Sequence, residues 1–184
     1  PEIIFSAGDT SKNIQNGDCT SDPMYKNLLK VLFQDKGIEK QKISEGMQKL
    51  WGKASNQFDI CSIQFALHYY FKNIETLRGV LENISKNTKI GGYFIGTCFD
   101  GQTIFDKLKD LKKGESIEGT IGKNRIWKIK KDYEDSKFPD DISSVGLPIW
   151  VYMETINQMF KEYLVNFNLF TKLMAEYGFE LEKD

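Results

Sequence analysis

The feature that most constrains this chain is a short apolar run that ends close to its only histidine. Residues 58–63 are mainly apolar and β-branched, apart from Asp59 and Ser62, and this composition predicts a short buried strand. Beyond it, His68 lies among aromatic residues that do not alternate as in a strand, so they predict a loop leading into a helix. Ligand sites in open α/β sheets lie beyond the carboxyl ends of strands. The stretch therefore predicts a site for a planar ligand.

Strand and helix patterns alternate through the first part of the chain. Asp22 followed by proline is typical of a helix start, because aspartate caps free N–H groups and proline suits the first helical position. Asn73 and Asp100 are placed to begin two further helices, and residues 93–98 predict a second buried strand. Alternation of this kind is typical of an α/β fold with a mostly parallel sheet.

The pattern changes in the last third of the chain. Residues 116–121 and 125–129 flank a Gly-Lys-Asn turn, which predicts a β-hairpin, and residues 148–153 predict another strand. The charged stretch 131–144 is typical of a surface loop, and apolar residues at helical spacing over 167–177 predict a final helix. The sequence thus predicts an antiparallel C-terminal part.

Other segments carry weaker patterns. Residues 3–5 predict a first strand and residues 179–181 a last one, while residues 47–51 suggest a short helix. Gly91 and Gly92 predict the end of the helix that begins near Asn73. A chain of 184 residues fits a single domain by its length.

Composition argues against several kinds of protein. The net charge of −1 provides no overall basic field, so any contact with RNA has to come from local patches. Cys19, Cys61 and Cys98 are far apart in sequence, which argues against zinc and favours free thiols in a reducing intracellular compartment. No apolar run is long enough to span a bilayer, so no membrane partner is expected.

Three motifs point to one family. They are QFALHYYF at residues 64–71, GGYFIGT at residues 91–97 and EYLVNF at residues 162–167. In this order they resemble the signature blocks of mRNA cap (guanine-N7) methyltransferases, and especially the methyltransferase region of capping enzymes from giant, mimivirus-like DNA viruses. The resemblance covers nearly the whole chain. It implies a Rossmann-like class I S-adenosylmethionine-dependent methyltransferase fold.

The resemblance also implies which part of that domain is present. The family's glycine-rich cofactor loop and the acid that ends its second strand have no counterpart here, and would precede Pro1. Residues 1–184 are therefore expected to be the later two-thirds of a single domain whose first strands are missing. Alone they are expected to be poorly soluble, and neither to bind S-adenosylmethionine nor to methylate caps, because uncovered strands favour aggregation.

Three residues are implied to bind the cap guanine. Glu162 matches a glutamate that accepts hydrogen bonds from the guanine N1–H and amino groups, a donor pair that adenine lacks. His68 is implied to donate to the guanine O6, and Tyr69 to line the pocket. Without the motifs, the ordinary alternatives are an exposed glutamate, a buried histidine with its hydrogen bonds satisfied, and a tyrosine of the core.

Four residues are implied to bind the methyl donor, S-adenosylmethionine. Asp9 follows the first predicted strand, where the family places an acid that contacts the adenine amino group, and Thr10 is a weaker candidate beside it. The backbone of Gln64 is implied to meet the methionyl or ribose side, and Phe65 to wall the pocket. The alternative for Asp9 is a turn residue that caps local backbone, and Lys12 is a weak candidate for a phosphate contact.

Methylation of guanine N7 requires little acid–base chemistry. The N7 atom has a free lone pair and no proton to lose, and the donor is already activated, so catalysis depends on positioning and electrostatics. The sequence fits this expectation, because it offers no convincing nucleophile–base pair. No residue is therefore assigned as catalytic, and no metal is expected.

Three functions stay open at this point. The first is an S-adenosylmethionine-dependent cap guanine-N7 methyltransferase within a viral capping enzyme, acting on capped mRNA beside triphosphatase and guanylyltransferase domains in the host cytoplasm or the virion. The second is a non-catalytic cap-binding or stimulatory subunit, which would be expected to lose the pocket residues that this chain keeps. The third is a methyltransferase for another substrate, which leaves the motifs around His68 and Glu162 unexplained.

Overall fold

The computed structural model describes residues 3–182. Its helices are α1 (Pro23–Leu32), α2 (Glu45–Gln48), α3 (Leu67–Tyr70), α4 (Ile74–Asn87), α5 (Gly101–Leu108) and α6 (Phe167–Glu176). Its strands are β1 (Phe58–Gln64), β2 (Thr88–Thr97), β3 (Ser116–Ile121), β4 (Asn124–Lys131), β5 (Pro148–Met153) and β6 (Gln158–Tyr163). Short 3₁₀ turns lie at Lys40–Lys42 and Ile142–Ser144. The described chain divides into two compact units, which are residues 3–62 with Arg78–Ile95, and Ile63–Leu77 with residues 96–182.

Helix α1 of the first unit begins where the sequence predicts. The Asp22 carboxylate accepts hydrogen bonds from the backbone N–H groups of Met24 and Tyr25, at 2.8 and 3.3 Å, and proline occupies the first helical position. The short helix α2 overlaps the short helix predicted at residues 47–51 only at Met47 and Gln48, and it begins two residues earlier. The buried side chains of α1 are those of Leu29, Val31 and Leu32.

Helix α4 begins as predicted but ends earlier than expected. The side-chain oxygen of Asn73 accepts a hydrogen bond from the Thr76 N–H at 2.8 Å, which caps the helix. At the other end, β2 begins at Thr88 directly after the helix. The predicted boundary at Gly91 and Gly92 is therefore wrong, because both glycines lie inside β2. A φ of +77° at Gly91 lets the strand pass through a conformation that other residues rarely adopt.

Strands β1 and β2 form a parallel two-stranded sheet. Near the start of both strands, the Lys89 ammonium group donates to the Asp59 carboxylate at 2.7 Å. At the other end, the backbone N–H of Phe65 donates to the carbonyl oxygen of Thr97 at 2.9 Å. The carboxyl ends of the two strands therefore lie side by side, and the expectation of parallel pairing in an α/β fold is confirmed.

The prediction that these two strands are buried is wrong. The side chain of Ile60 in β1 is 58% exposed, and that of Ile95 in β2 is 49% exposed. An apolar, β-branched composition favours the strand conformation whether or not another layer covers it. Within residues 3–182, no further strand pairs with β1 or β2.

The second unit contains an antiparallel sheet in the order β3-β4-β5-β6. The predicted hairpin is β3 and β4, joined by Gly122 and Lys123, and the predicted strand at residues 148–153 is β5. Strand β6 has no counterpart among the predicted strands. It pairs with β5 so that Glu162 lies opposite Ile149. Because Ile149 is buried, this register turns Glu162 toward the interior face of the sheet.

Helix α5 covers that interior face and builds a core with it. The buried members of the core are Ile104, Phe105, Leu108, Tyr133, Phe138, Leu147, Ile149, Val151 and Leu164. Phe105 stacks on Tyr133 and on Phe138, with ring centroids 5.6 and 5.3 Å away. The charged stretch 131–144 is therefore only partly a surface loop, since two of its aromatic residues belong to the core.

The side chain of a buried lysine in β4 caps the C-terminal end of helix α5. Lys131 is 5% exposed, and its ammonium group donates to the carbonyl oxygens of Leu108 and Leu111 at 3.1 and 2.9 Å. The same group lies 4.9 Å from the ring centroid of Tyr133. A cation at a helix C-terminus satisfies carbonyl groups that have no partner within the helix.

The two ends of the described chain differ from the sequence-based expectation. Residues 3–5 and residues 179–182 form no strand. The predicted final helix is α6, and Gly178 follows it with a φ of +86°. Over residues 3–182, no helix combines the length and the apolar character that a membrane crossing requires.

Candidate functional site

The second unit brings together the three residues predicted to bind a guanine. His68 lies in α3, a single helical turn that follows β1, and Glu162 lies on the interior face of β6. The imidazole Nε2 of His68 is 3.7 Å from Oε1 of Glu162. The ring centroid of Tyr69 lies 4.2 Å from that of His68. Residues almost a hundred positions apart in sequence thus form one small site.

Burial sets the electrostatics of this site. His68 is 6% exposed and Glu162 9% exposed. Desolvation lowers the pKa of the His68 imidazole to about 4 and raises the pKa of the Glu162 carboxyl to about 7. At neutral pH the histidine is therefore uncharged, so the 3.7 Å approach of the two groups is not an ion pair. The carboxyl is poised between its two protonation states.

Both ring nitrogens of His68 are buried without a hydrogen-bond partner among the described residues. Buried polar atoms are nearly always bonded, and leaving one unpaired costs about 1–3 kcal/mol. A polar ligand that reaches this ring would recover that energy. Tyr69 is 47% exposed, and burial raises the pKa of its phenol, with a further contribution from Glu162. The tyrosine ring therefore connects the buried pair with the surface.

Backbone hydrogen bonds fix the spacing of the two buried groups. The N–H of Gly146 donates to the carbonyl oxygen of Phe71 at the end of α3, at 2.9 Å. The next carbonyl oxygen, that of Leu147, accepts from the N–H of Leu164 at the end of β6, at 3.0 Å. Gly146 has a φ of +94°, which other residues rarely adopt. The two residues that precede β5, Gly146 and Leu147, thus hold both α3 and β6 in place.

The predicted donor-binding residues Gln64 and Phe65 lie together at the carboxyl end of β1. Oε1 of Gln64 accepts a hydrogen bond from the Thr97 hydroxyl at 2.8 Å. Phe65 has a φ of +49° and is 60% exposed, and its ring centroid lies 6.1 Å from that of Phe99. An exposed aromatic ring at a strand end offers apolar surface to a flat ligand.

Asp9 and Thr10, the other two predicted donor-binding residues, lie in the first unit. Oδ1 of Asp9 accepts hydrogen bonds from the backbone N–H and the hydroxyl of Ser11, at 3.0 and 2.7 Å. Asp9 thus does cap local backbone, as the alternative interpretation of a turn aspartate predicts. The amide nitrogen of Asn83 donates to the carbonyl oxygens of Thr10 and Lys12, at 2.8 and 2.7 Å. Helix α4 therefore holds the backbone of this loop.

Gly79 on α4 allows the same loop to approach closely. A methyl group at this position would collide with the backbone carbonyl of Ser11. Gly79 and Asn83 are one helical turn apart on the same face of α4. Neither was among the residues predicted from the sequence. Thr97 was also missed, and its place at the end of the GGYFIGT motif is the signal that could have indicated it.

The described residues offer apolar surface at a strand end and no cluster of metal-ligating side chains. Among residues 3–182, no group of three or more His, Cys, Asp or Glu side chains is arranged to hold a metal. The exposed ring of Phe65 leaves apolar surface at the carboxyl end of β1, where open α/β sheets bind their ligands. All three cysteines are free, and Cys19 is buried.

The fold is that of class I S-adenosylmethionine-dependent methyltransferases. More particularly, the chain belongs to the mRNA (guanine-N(7))-methyltransferase domain family, whose profile matches residues 16–184. The resemblance noted in the sequence is thereby confirmed.

Curated relatives agree with this family. The chain is 36% identical to "mRNA cap guanine-N(7) methyltransferase 1" of Arabidopsis thaliana over 67% of the chain and 32% of that protein. It is 36% identical to "mRNA cap guanine-N(7) methyltransferase" of Saccharomyces cerevisiae over 67% of the chain and 28% of that protein. It is 32% identical to "Probable mRNA-capping enzyme" of Acanthamoeba polyphaga mimivirus over 68% of the chain and 11% of that protein. The match spans about a third of the cellular relatives' length or less.

Proposed function

We propose that this chain is part of an S-adenosylmethionine-dependent mRNA cap guanine-N7 methyltransferase, which transfers a methyl group to N7 of the GpppN cap. The observation that carries the proposal is the buried pair of His68 and Glu162, whose imidazole nitrogens have no partner among the described residues. A purine edge supplies the donors and acceptors that such a pair needs. Membership of the cap methyltransferase family supports guanine as that purine.

Glu162 is the residue proposed to select guanine. In its ionised form the carboxylate accepts two hydrogen bonds, one from the guanine N1–H and one from the exocyclic amino group. Adenine carries an acceptor at the first of these positions, so it would leave the buried carboxylate unpaired. The low exposure of Glu162 strengthens this discrimination, because water cannot replace the missing donor.

The other residues of the site are proposed to position the base. His68 is neutral at neutral pH, so one ring nitrogen carries a proton that can be donated to the guanine O6. Tyr69 provides a ring at the mouth of the buried pair. S-adenosylmethionine, when bound, supplies a methyl group already activated on a sulfonium. Because N7 has no proton to lose, the chain has only to orient the base and exclude water.

We further propose that the methyltransferase is one part of a viral capping enzyme. The similarity to a mimivirus protein named as an mRNA-capping enzyme supports this setting. In such an enzyme, triphosphatase and guanylyltransferase domains would produce the GpppN end that this site methylates. The corresponding location is the host cytoplasm, in a viral factory, or the virion.

Methyl transfer to a capped RNA tests the proposal. The full-length protein is incubated with S-adenosylmethionine and GpppG-capped RNA, and 7-methylguanosine is measured after nuclease digestion. Glu162→Gln should lower turnover by about 100-fold, or about 3 kcal/mol, as for the loss of a positioned charged partner. Glu154→Gln, an exposed position beyond β5, is the matched control and should keep wild-type turnover.

Two outcomes would count against the proposal. Wild-type turnover in Glu162→Gln would remove this residue from the site. Tight binding of GpppG without methyl transfer by the full-length protein would instead favour a non-catalytic, cap-binding subunit.

A further inference from the structure

The outer face of the antiparallel sheet carries an aromatic residue between two lysines. In the strand register, Lys130 of β4 lies opposite Trp150 of β5, and Trp150 lies opposite Lys161 of β6. The neighbours Ile149 and Val151 are buried, so the alternation of side chains along β5 places Trp150 on the opposite, outer face. Three strands thus present cation, indole and cation in one row.

The indole in this row is held in place. Nε1 of Trp150 donates to Oδ2 of Asp132 at 3.1 Å. The Lys161 ammonium group lies 3.5 Å from the same carboxylate oxygen and 5.9 Å from the Trp150 ring centroid. The ring orientation is therefore fixed before any partner binds, which reduces the entropy lost on binding.

The next row repeats the pattern. Lys128 of β4 lies opposite Tyr152 of β5, whose hydroxyl donates to Oδ1 of Asn157 at 3.0 Å. Lys128 also lies opposite Glu118 of β3, whose carboxylate pairs with Arg125 at 2.8 Å. Among the described residues, the ammonium groups of Lys128 and Lys130 themselves make no ion pair. Two ammonium groups that are not engaged in ion pairs therefore lie beside two oriented aromatic side chains.

We propose that this outer face binds the single-stranded RNA that follows the cap. A base would stack on Trp150, and phosphates would lie against Lys130 and Lys128. Rings between cations are the usual surface for single strands, since each base has a face to stack and each phosphate a negative charge. An acidic peptide would use the lysines but not the rings, so the oriented indole favours RNA.

This inference rests on the proposed function, since the RNA in question is the cap's own transcript. Lys161 and Glu162 are adjacent on β6, and their side chains point to opposite faces of the sheet. Strand β6 is at the edge of that sheet. A transcript whose guanine lies at Glu162 has to pass only one strand to reach Lys161 and Trp150.

Binding of an uncapped RNA tests the face separately from methyl transfer. Fluorescence anisotropy of a labelled 12-nucleotide U-rich RNA is measured with the full-length protein over a range of salt concentrations. Lys128→Gln with Lys130→Gln should weaken binding about tenfold and reduce the salt slope by about 1.4, at about 0.7 per phosphate contact. Trp150→Leu should weaken it about fivefold or more, while Trp150→Tyr retains most of the affinity.

The matched control changes two lysines elsewhere in the second unit. Lys107→Gln with Lys137→Gln alters the net charge equally, but both residues are exposed and lie outside the sheet. This control should keep the wild-type affinity and salt slope. Methylation of the GpppG dinucleotide should be unchanged in both double variants, because a dinucleotide has no transcript to place on the outer face.

Three results would overturn the inference. Unchanged RNA affinity in the Lys128 and Lys130 double variant, with a native circular dichroism spectrum, would exclude this face. An equal loss in the control would show a general charge effect. Polyglutamate that competes as well as RNA would identify an acidic protein as the partner. Failure of the wild type to methylate GpppG would instead contradict the proposed function, and the anisotropy result would stand.

Discussion

His68 and Glu162 face each other 3.7 Å apart, and burial opposes the charged form of both. The pair is therefore not held by mutual attraction of opposite charges. Its geometry comes from the backbone around it, in particular from the hydrogen bonds of Gly146 to Phe71 and of Leu164 to Leu147. A site arranged in this way keeps its polar atoms available to a ligand.

The first prediction concerns the pH dependence of catalysis. Because guanine binding needs the ionised carboxylate and burial raises the pKa of Glu162 to about 7, kcat/KM for capped RNA should rise with pH through about 7. This rise should persist in His68→Asn, since the histidine titrates only near pH 4. It should be absent in Glu162→Gln, measured with enough enzyme to follow its residual turnover. A limb that disappears in His68→Asn would contradict the positioning mechanism.

The second prediction concerns stability. The folded chain holds the Glu162 proton up to about pH 7, whereas the unfolded chain loses it near pH 4.5. Between these values the folded state binds more protons, so the free energy of unfolding falls as pH rises, by up to about 3 kcal/mol. His68 acts oppositely, because its stabilising contribution is lost as pH falls from 6.5 toward 4.

Glu162→Gln should therefore be more stable than the wild type at pH 8 and about equally stable at pH 4.5. Urea denaturation at both pH values measures the difference. Glu154→Gln, at an exposed position, should follow the wild type at each pH. Equal stability of Glu162→Gln and wild type at pH 8 would show that Glu162 is not desolvated.

The third prediction concerns Gly146. Gly146 and Gly114 both have a φ of +94°, so replacement by alanine imposes similar backbone strain at each. A methyl group at 146 would lie 3.3 Å from the carbonyl oxygen of Lys72, whereas one at 114 has no neighbour within 4 Å. Gly146→Ala should raise KM for capped RNA by about tenfold, because small displacements of binding groups are costly. KM for the methyl donor should not change.

Gly114→Ala serves as the control for this measurement. It should lose stability to a similar extent but keep the wild-type KM for capped RNA. If the two variants changed that KM equally, Gly146 would act only through general stability.

The fourth prediction concerns Asp9. Asp9→Ala should raise KM for S-adenosylmethionine by about tenfold, as expected for loss of a charged acceptor, and leave KM for capped RNA nearly unchanged. Because Asp9 also accepts from Ser11, Ser11→Ala is the companion variant: it removes the hydroxyl bond and keeps the carboxylate. A similar rise in both variants would mean that the turn, and not a contact with adenine, explains the effect.

Helix starts were predictable because a cap is a contact between near neighbours. Asp22, Asn73 and Asp100 each accept from backbone N–H groups two or three residues ahead. The β3–β4 hairpin was predictable for the same reason, since Gly122, with a φ of +60°, suits a two-residue turn.

Burial depends on distant partners, and there the sequence was a poor guide. The apolar run of β1 predicts a covered strand, yet Ile60 is 58% exposed. Conversely, Tyr133 and Phe138 lie in a charged stretch and are buried against Phe105. Strand β6 escaped prediction because its pairing with β5, not its own composition, makes it a strand.

The candidate site likewise combines features that the sequence predicts with features that depend on distant contacts. Motif order alone selected His68, Tyr69 and Glu162, and the structure places them together. The unpartnered ring nitrogens and the role of Gly146 could not be predicted, because each depends on several segments meeting in space.

The buried Lys131 gives the chain an internal reporter of folding. An acylating reagent modifies amines that solvent reaches, and this amine is 5% exposed and hydrogen-bonded to carbonyl oxygens at the end of α5. It becomes reactive only when α5 separates from β4. Mass spectrometry can compare the labelling rate of the peptide that contains Lys131 with the rates of peptides that contain exposed lysines. The difference measures how fast this core opens, without any added probe.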